Sequence, residues 1–128
     1  KFLKSIPHQD VLNEHIKSDI YVSANTDGNL INTNLEAISS NACMVIPKPQ
    51  SEKLIDIETY KLLGNAVVYY KVNDVNDLEN KILYLLNNPN KITYFKNKIS
   101  SAKLKFIKTW DQRVDEEENI LKNIIKNN

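Results

Sequence analysis

The fold of this chain is decided by residues 20–37, which read IYVSANTDGNLINTNLEA. The stretch opens on the apolar run at 20–22, which predicts a buried strand. A polar turn around Gly28 follows, and Asn32 or Thr33 then opens a helix. A strand, a glycine turn and a helix N-terminus in this order are typical of a phosphate site. Free backbone N–H groups and the positive end of the helix dipole both face the turn.

Two acidic residues belong to the same stretch, Asp27 in the turn and Glu36 in the helix. Carboxylates have the wrong charge for phosphate, but they suit the hydroxyl groups of a sugar. A site that offers N–H groups to phosphate and carboxylates to hydroxyls indicates a pocket for a nucleotide sugar.

Both acidic residues also have a structural explanation. Thr33 and Glu36 have the spacing of a capping box, in which the glutamate reaches back to the backbone N–H of the cap residue. Asp27-Gly28 is an ordinary turn pair. The residues alone therefore leave Glu36 open between a helix cap and a ligand contact, and for Asp27-Gly28 they favour the turn.

Length and charge limit the protein class. The chain has 128 residues, 41% of them hydrophobic, which predicts one domain over residues 1–128 with a single core. Its net charge of +1 argues against a general nucleic-acid binder, which needs a concentrated basic face. The sequence starts at Lys1 and carries a single methionine, Met44, so we expect a piece of a longer protein.

The single cysteine, Cys43, lies in the apolar run at 42–46, which predicts a buried and inert thiol. One cysteine cannot form an intrachain disulfide, and this fits a reducing compartment. No apolar run approaches the roughly 20 residues of a membrane span, and no signal peptide is visible. These features favour a cytoplasmic protein.

The apolar periodicity predicts alternating strands and helices. Strands are expected at 20–23, 43–46 and 66–70, with the second stopped by Pro47 and Pro49. Helices are expected from Pro7 and from Asn32 or Thr33, and at 76–87, 91–108 and 110–125; residues 53–63 fit no single period. Strands that are apolar on both faces predict a parallel sheet with helical crossovers. The expected fold is therefore an α/β, Rossmann-like sheet with helices on both faces and a helical C-terminal tail.

Familiar catalytic motifs are not found. The chain has no Gly-x-Ser-x-Gly, no Walker loop and no Gly-x-Gly-x-x-Gly. His8 and His15 lack metal-ligand spacing, so we interpret His8 as a loop residue and His15 as part of a helix face. No metal site is predicted.

A series of segments resembles one family in order and spacing. The segments are LNEHIKSDIYVS at 12–23, the DG turn at 27–28, LEA at 35–37, MVI at 44–46, GNAVVYY at 64–70, NDVNDL at 73–78 and TWD at 109–111. Together they resemble the C-terminal, donor-binding half of a retaining GT-B glycosyltransferase of the family 4 type, and the resemblance runs almost end to end.

The resemblance implies a function. The full enzyme would be a hexosyltransferase that moves a sugar from a nucleotide-diphosphate sugar to an acceptor hydroxyl with retention. It also implies site residues. Glu36 would bind the ribose hydroxyls, and the backbone around Asn32 and Thr33 would receive the diphosphate. The transferred sugar would face residues 27–30, which are Asp27, Gly28, Asn29 and Leu30, with Asp27 the candidate catalytic-site contact. Ile6 and Pro7 would lie where the base-binding loop passes.

The resemblance further implies partners. The donor would be a UDP- or GDP-linked sugar, and the acceptor would be a glycan, a lipid or a small molecule bound by another domain. Neither a metal nor another cofactor is expected, because fixed donors replace a metal in such enzymes. The acceptor domain, and the Arg and Lys that grip the diphosphate, are absent from these residues. The chain alone is therefore expected to transfer no sugar. The full protein would be cytoplasmic or at the cytoplasmic face of a membrane.

Several positions depart from the family pattern. Asp27 lies nine positions before Glu36 instead of eight. A Ser-Asn-Leu-Gly-Asn variant of the loop resembles residues 28–32, and in that alignment Asn29 and Leu30 would contact the sugar. Residues 41–45 lack the family's glycine. Two alternatives therefore stay open: a non-catalytic α/β module, receiver-like or protein-binding, and a degenerate transferase half kept as a scaffold.

Overall fold

The computed structural model describes residues 5–25, 31–49, 57–105 and 107–126. Within these ranges the chain forms a three-stranded parallel sheet in the order β1-β2-β3. The strands are β1 (Ile20–Val22), β2 (Cys43–Lys48) and β3 (Val68–Lys71). The helices are α1 (His8–Lys17), α2 (Asn32–Ser39), α3 (Ile57–Leu63), α4 (Val75–Leu86), α5 (Pro89–Lys103) and α6 (Trp110–Lys126). The predicted Rossmann-like α/β fold is confirmed.

Strand β2 lies in the middle of the sheet, and its side chains alternate between two buried cores. The first core consists of Ala37, Ile38, Ala42, Met44, Ile46, Leu63, Ala66, Val67 and Ile99. The second consists of Cys43, Val45, Val68, Tyr70 and Leu85. Helices α2 and α3 supply the first core, α4 supplies the second, and α5 contributes to both. Helices therefore cover both faces of the sheet, as predicted.

Strand β1 is less buried than the sequence predicts. Within the described residues it pairs only with β2, and Val22 is 40% exposed. An apolar run identifies a strand, but it does not say whether that strand is central or lies at an edge. The prediction of a fully buried strand is wrong for this reason.

The prediction that Pro47 stops β2 is also wrong, because the strand continues to Lys48. The carbonyl of Val45 accepts a 3.0 Å hydrogen bond from the Ser23 N–H. The backbone nitrogen of Pro47, two residues further along β2, points toward the same neighbouring strand, β1. Since β1 ends at Val22, no hydrogen bond is lost by placing a proline there.

Most element bounds agree with the prediction, and the differences lie at α3, β3 and the two ends of α5. The ambiguous segment is helical from Ile57 to Leu63, while residues 50–56 lie outside the described ranges. A 3-10 turn over Gly64–Ala66, with Gly64 at φ +49°, delays β3 to Val68. Helix α5 starts earlier than expected, with Pro89 in its first turn, where the missing N–H costs nothing. It ends at Lys103 instead of Lys108.

The turn from α2 into β2 is made without glycine. Asn41 has φ 57°, in the left-handed region. The N–H of Asn41 donates to Ile38 O and the N–H of Ala42 donates to Ala37 O, which is a Schellman motif. Asparagine tolerates this conformation better than other non-glycine residues, so the helix ends here without glycine.

Helix α6 differs from the other long helices. It has no buried residue, and Trp110 and Ile125 are each 75% exposed. Its start is closed by a capping box, in which the Gln112 N–H donates to Thr109 Oγ1 and the Thr109 N–H donates to Gln112 Oε1. Among the helices of the described ranges, neither α6 nor any other has the length and apolarity to cross a membrane.

Candidate functional site

Glu36 lies on α2, the helix that follows the carboxyl end of β1. Ligands in open parallel sheets bind outside the carboxyl ends of the strands, so this is the edge where a site is expected. The Glu36 side chain is 18% exposed, which leaves part of the carboxylate accessible.

Of the two alternatives for Glu36, the structure excludes the capping box with Thr33. The N-cap residue is Ile31, in an extended conformation, and no side chain caps the helix. Thr33 is instead an exposed residue of the first turn, and Glu36 lies too far along the helix to reach back. Among the described residues, nothing accepts from the N–H groups of Asn32 and Thr33, which carry the positive end of the helix dipole.

The Glu36 carboxylate lies between two histidines of α1. His8 Nδ1 is 3.5 Å from Oε1, and His15 Nε2 is 3.8 Å from Oε2. Both distances exceed a hydrogen bond and fall within the range of an ion pair. The described residues contain no group of three His, Cys, Asp or Glu side chains that could hold a metal ion. The two imidazoles and the Glu36 carboxylate form a polar cluster.

A row of contacts leads from this cluster into the core. The His15 ring packs on Tyr21 at 5.3 Å between centroids. The Tyr21 hydroxyl donates to Asn34 Oδ1 at 2.9 Å, and Asn34 Nδ2 lies 3.4 Å from Thr59 Oγ1. Asn34 and Thr59 are buried. This row connects α1, β1, α2 and α3 beneath Glu36.

Ser23 anchors the other side of the edge, where the chain leaves β1. Its side chain is buried, its N–H donates to Val45 O at 3.0 Å, and its carbonyl accepts from the Tyr70 hydroxyl at 3.0 Å. The segment that leads toward α2 therefore starts from a fixed point on the sheet.

The remaining predicted site residues divide into two groups. Asp27, Gly28, Asn29 and Leu30 lie outside the described residues. Ile6 and Pro7 lie at the start of α1, directly before His8, so this segment comes close to Glu36. Ile6 also lines a hollow of about 230 Å³ beside His15 and Tyr21.

A larger groove, of about 620 Å³, lies away from Glu36 between α3 and α5. Lys61, Lys98 and Lys105 line it, together with neutral side chains. The groove includes Gly64–Ala66, which precede β3, so it opens toward the amino ends of the strands, opposite the edge that holds Ser23. The groove therefore has no contact with the predicted site, and the candidate site is at the Glu36 carboxylate.

Two groups in the core have shifted pKa values. Burial raises the pKa of the Cys43 thiol to about 11, partly offset by Lys96, so the thiol is neutral near pH 7. Burial also raises the pKa of Tyr70, which keeps its hydroxyl protonated for the bond to Ser23. The predicted inert thiol agrees with this placement, because Cys43 is fully buried.

Comparisons with protein-family models, with curated proteins and with solved structures find no match for this chain. Residue geometry and the resemblance in sequence are therefore the grounds for a functional assignment.

Sequence reasoning missed the surroundings of Glu36. His8 and His15 are seven positions apart, which places them on one face of a helix, and that spacing was the available signal. Nothing in the sequence indicates that this face turns toward Glu36. No sequence signal indicates the bond between Tyr21 and Asn34 either, because the two residues belong to different elements.

Proposed function

We propose that this chain is the donor-binding half of a retaining glycosyltransferase of the GT-B type. In the full enzyme a sugar would pass from a UDP- or GDP-linked donor to an acceptor hydroxyl. The resemblance of the sequence supplies the reaction class, and the surroundings of Glu36 support the site. The proposed location is the cytoplasm or the cytoplasmic face of a membrane.

The observation that carries the proposal is that Glu36 does not cap its helix. A capping glutamate would be committed to the backbone. Here the carboxylate instead lies between two imidazoles, and its side chain remains partly exposed. An ionised carboxylate has about four acceptor positions, so lone pairs remain for a ribose diol.

The start of α2 supports the diphosphate part of the proposal. The N–H groups of Asn32 and Thr33 have no acceptor among the described residues, and both residues are exposed. Such N–H groups, with the helix dipole behind them, bind phosphate oxygens. In the reaction they would stabilise the negative charge that grows on the leaving diphosphate.

The test is a titration of the isotope-labelled chain with UDP and with GDP, followed through backbone amide shifts. We expect saturable binding near the millimolar range, about −4 kcal/mol, with shifts concentrated at residues 32–36. Glu36→Gln should weaken binding by about 1–3 kcal/mol, because a neutral amide oxygen accepts a hydroxyl hydrogen bond less strongly than a charged carboxylate does.

The matched control is Glu118→Gln, which removes a carboxylate from the exposed helix α6. It should leave binding unchanged. Absence of saturable shifts at high nucleotide, or shifts spread evenly over the surface, would contradict the donor-binding proposal and favour the scaffold alternative.

A further inference from the structure

We propose that His15 is a positioning residue for Glu36, and that it sets the preference of the site for a nucleotide with an intact ribose. The inference depends on the donor-binding function proposed above. It concerns a residue to which the sequence resemblance gives no role, and it follows from the contacts around the carboxylate.

The first step is the arrangement of the carboxylate oxygens. Oε1 faces His8 and Oε2 faces His15, so each oxygen has its own imidazole nitrogen. Both histidines approach from α1, which leaves the side of the carboxylate away from α1 for a ligand. An imidazole nitrogen lies 3.5 Å from Oε1 and another lies 3.8 Å from Oε2, so contact with the two rings limits the orientations open to the carboxylate plane.

The second step separates the two histidines. The His15 side chain is 13% exposed, while that of His8 is 73% exposed. The His15 ring is also packed against Tyr21 at an interplanar angle of 57°. A packed ring is already restricted in its rotamers, so it can hold a neighbour in place without a further loss of conformational entropy when a ligand binds. An exposed ring is not restricted in this way and would lose that entropy on binding. The positioning role therefore falls to His15.

The third step is the shared support of His15 and Glu36. Tyr21 packs on the His15 ring and also donates to Asn34, which lies on α2 two residues before Glu36. Asn34 is 2% exposed, so this point of α2 is fixed. One tyrosine thus sets the location of both the imidazole and the helix turn that carries the carboxylate.

The experiment measures ribose preference, which a merely structural role of His15 would not change. The ribonucleotide used is whichever of UDP and GDP binds more tightly. Its affinity is compared with the affinity of its 2′-deoxy counterpart by calorimetry or by amide shifts. We expect the wild-type chain to prefer the ribonucleotide by about tenfold, as for loss of one hydrogen bond to a charged group.

His15→Phe keeps an aromatic ring on Tyr21 but removes the imidazole nitrogen. It should reduce the preference to about threefold or less, while binding of the 2′-deoxy nucleotide stays within about twofold of wild type. His15→Gln places a side-chain N–H at a similar reach and should restore most of the preference.

A second measurement needs no substitution, so it tests the positioning role of His15 even if His15→Phe does not fold. In the wild-type chain, the ¹⁵N shift of the His15 imidazole should move on addition of the ribonucleotide and move at most about half as far with the 2′-deoxy form.

The outcomes separate the two proposals. No nucleotide binding by the wild-type chain would overturn the donor-binding function, and the positioning role with it. Ribose preference that survives His15→Phe, or an equal loss of affinity for both nucleotides, would overturn the positioning role alone.

Discussion

The Tyr21 hydroxyl donates a 2.9 Å hydrogen bond to Asn34 Oδ1 and thereby joins β1 to the first turn of α2. The two residues lie thirteen positions apart, on either side of the segment that was predicted to hold the donor. The contact therefore fixes both ends of that segment relative to each other.

Tyr21→Phe should cost about 1–2 kcal/mol in the free energy of unfolding. The substitution removes the donor to a buried amide oxygen and leaves the ring contact with His15 in place. Urea titration gives the value. The matched control is Tyr84→Phe on α4, where the side chain is 45% exposed, and a loss under about 0.5 kcal/mol is expected. Similar losses in both variants would argue against a structural role for the bond.

Thr33→Ala should change the free energy of unfolding by less than about 0.5 kcal/mol, because Thr33 is not a cap. Asp74→Ala is the control, since the Asp74 carboxylate accepts from the Asp77 N–H at 2.9 Å and caps α4. That variant should lose about 1 kcal/mol. The two are compared by thermal or urea unfolding. A loss at Thr33 that matches the loss at Asp74 would restore the capping box.

Asn41→Gly should leave the stability of the chain within about 0.5 kcal/mol of wild type, because glycine adopts positive φ without strain. Asn41→Ala should lose about 1 kcal/mol, since asparagine adopts the left-handed region more readily than alanine does. Unfolding measurements on this pair test the Schellman turn directly. Equal stability of the glycine and alanine variants would mean that the positive φ carries no strain.

Leu85→Ala should lose about 2–5 kcal/mol, because Leu85 is fully buried in the second core. Leu86→Ala, one residue later on the same helix, should lose under about 0.5 kcal/mol, since Leu86 is 56% exposed. Comparable losses of stability in the two variants would show that more of the α4 surface packs against the core than the structure shows.

Cys43 should contribute stability that depends on pH. Its pKa is raised from 9.0 to about 11 by burial, so folding favours the neutral thiol. The contribution is complete below pH 9 and is lost as the pH rises toward 11. Urea unfolding of wild type and Cys43→Ala should therefore give a stability difference that narrows over this interval. Burial also raises the pKa values of Tyr69 and Tyr70. Both tyrosines are present in wild type and in Cys43→Ala, so their contributions to stability cancel in the difference. A constant difference would contradict the shift.

The alternation of strands and helices could be predicted from the sequence because its signals are local. Apolar runs of strand length, helical periodicity and turn residues are properties of neighbouring positions, and short parallel strands need helical crossovers. Pro7 at the start of α1 and Trp110 at the start of α6 follow the same local chemistry. The architecture of the sheet with helices on both faces followed from that pattern.

The errors arose where a local signal has two meanings. Thr33 and Glu36 have capping-box spacing but form no capping box, whereas Thr109 and Gln112 do form one. Pro47 reads as a strand end, yet a proline is tolerated once the neighbouring strand has ended. In each case the deciding partner lies on another element.

By itself, the sequence determined the class of the fold and the position of Glu36 near the start of a helix after β1. Only the tertiary structure decided what surrounds that carboxylate. Helix α1 brings His8 and His15 to it, and Tyr21 supports both His15 and the helix turn of Asn34. The physical reason is the separation along the chain between the residues that determine each feature. Periodicity records which face of an element is apolar, whereas a polar cluster depends on how separate elements pack, and that packing follows from contacts between residues far apart in the chain.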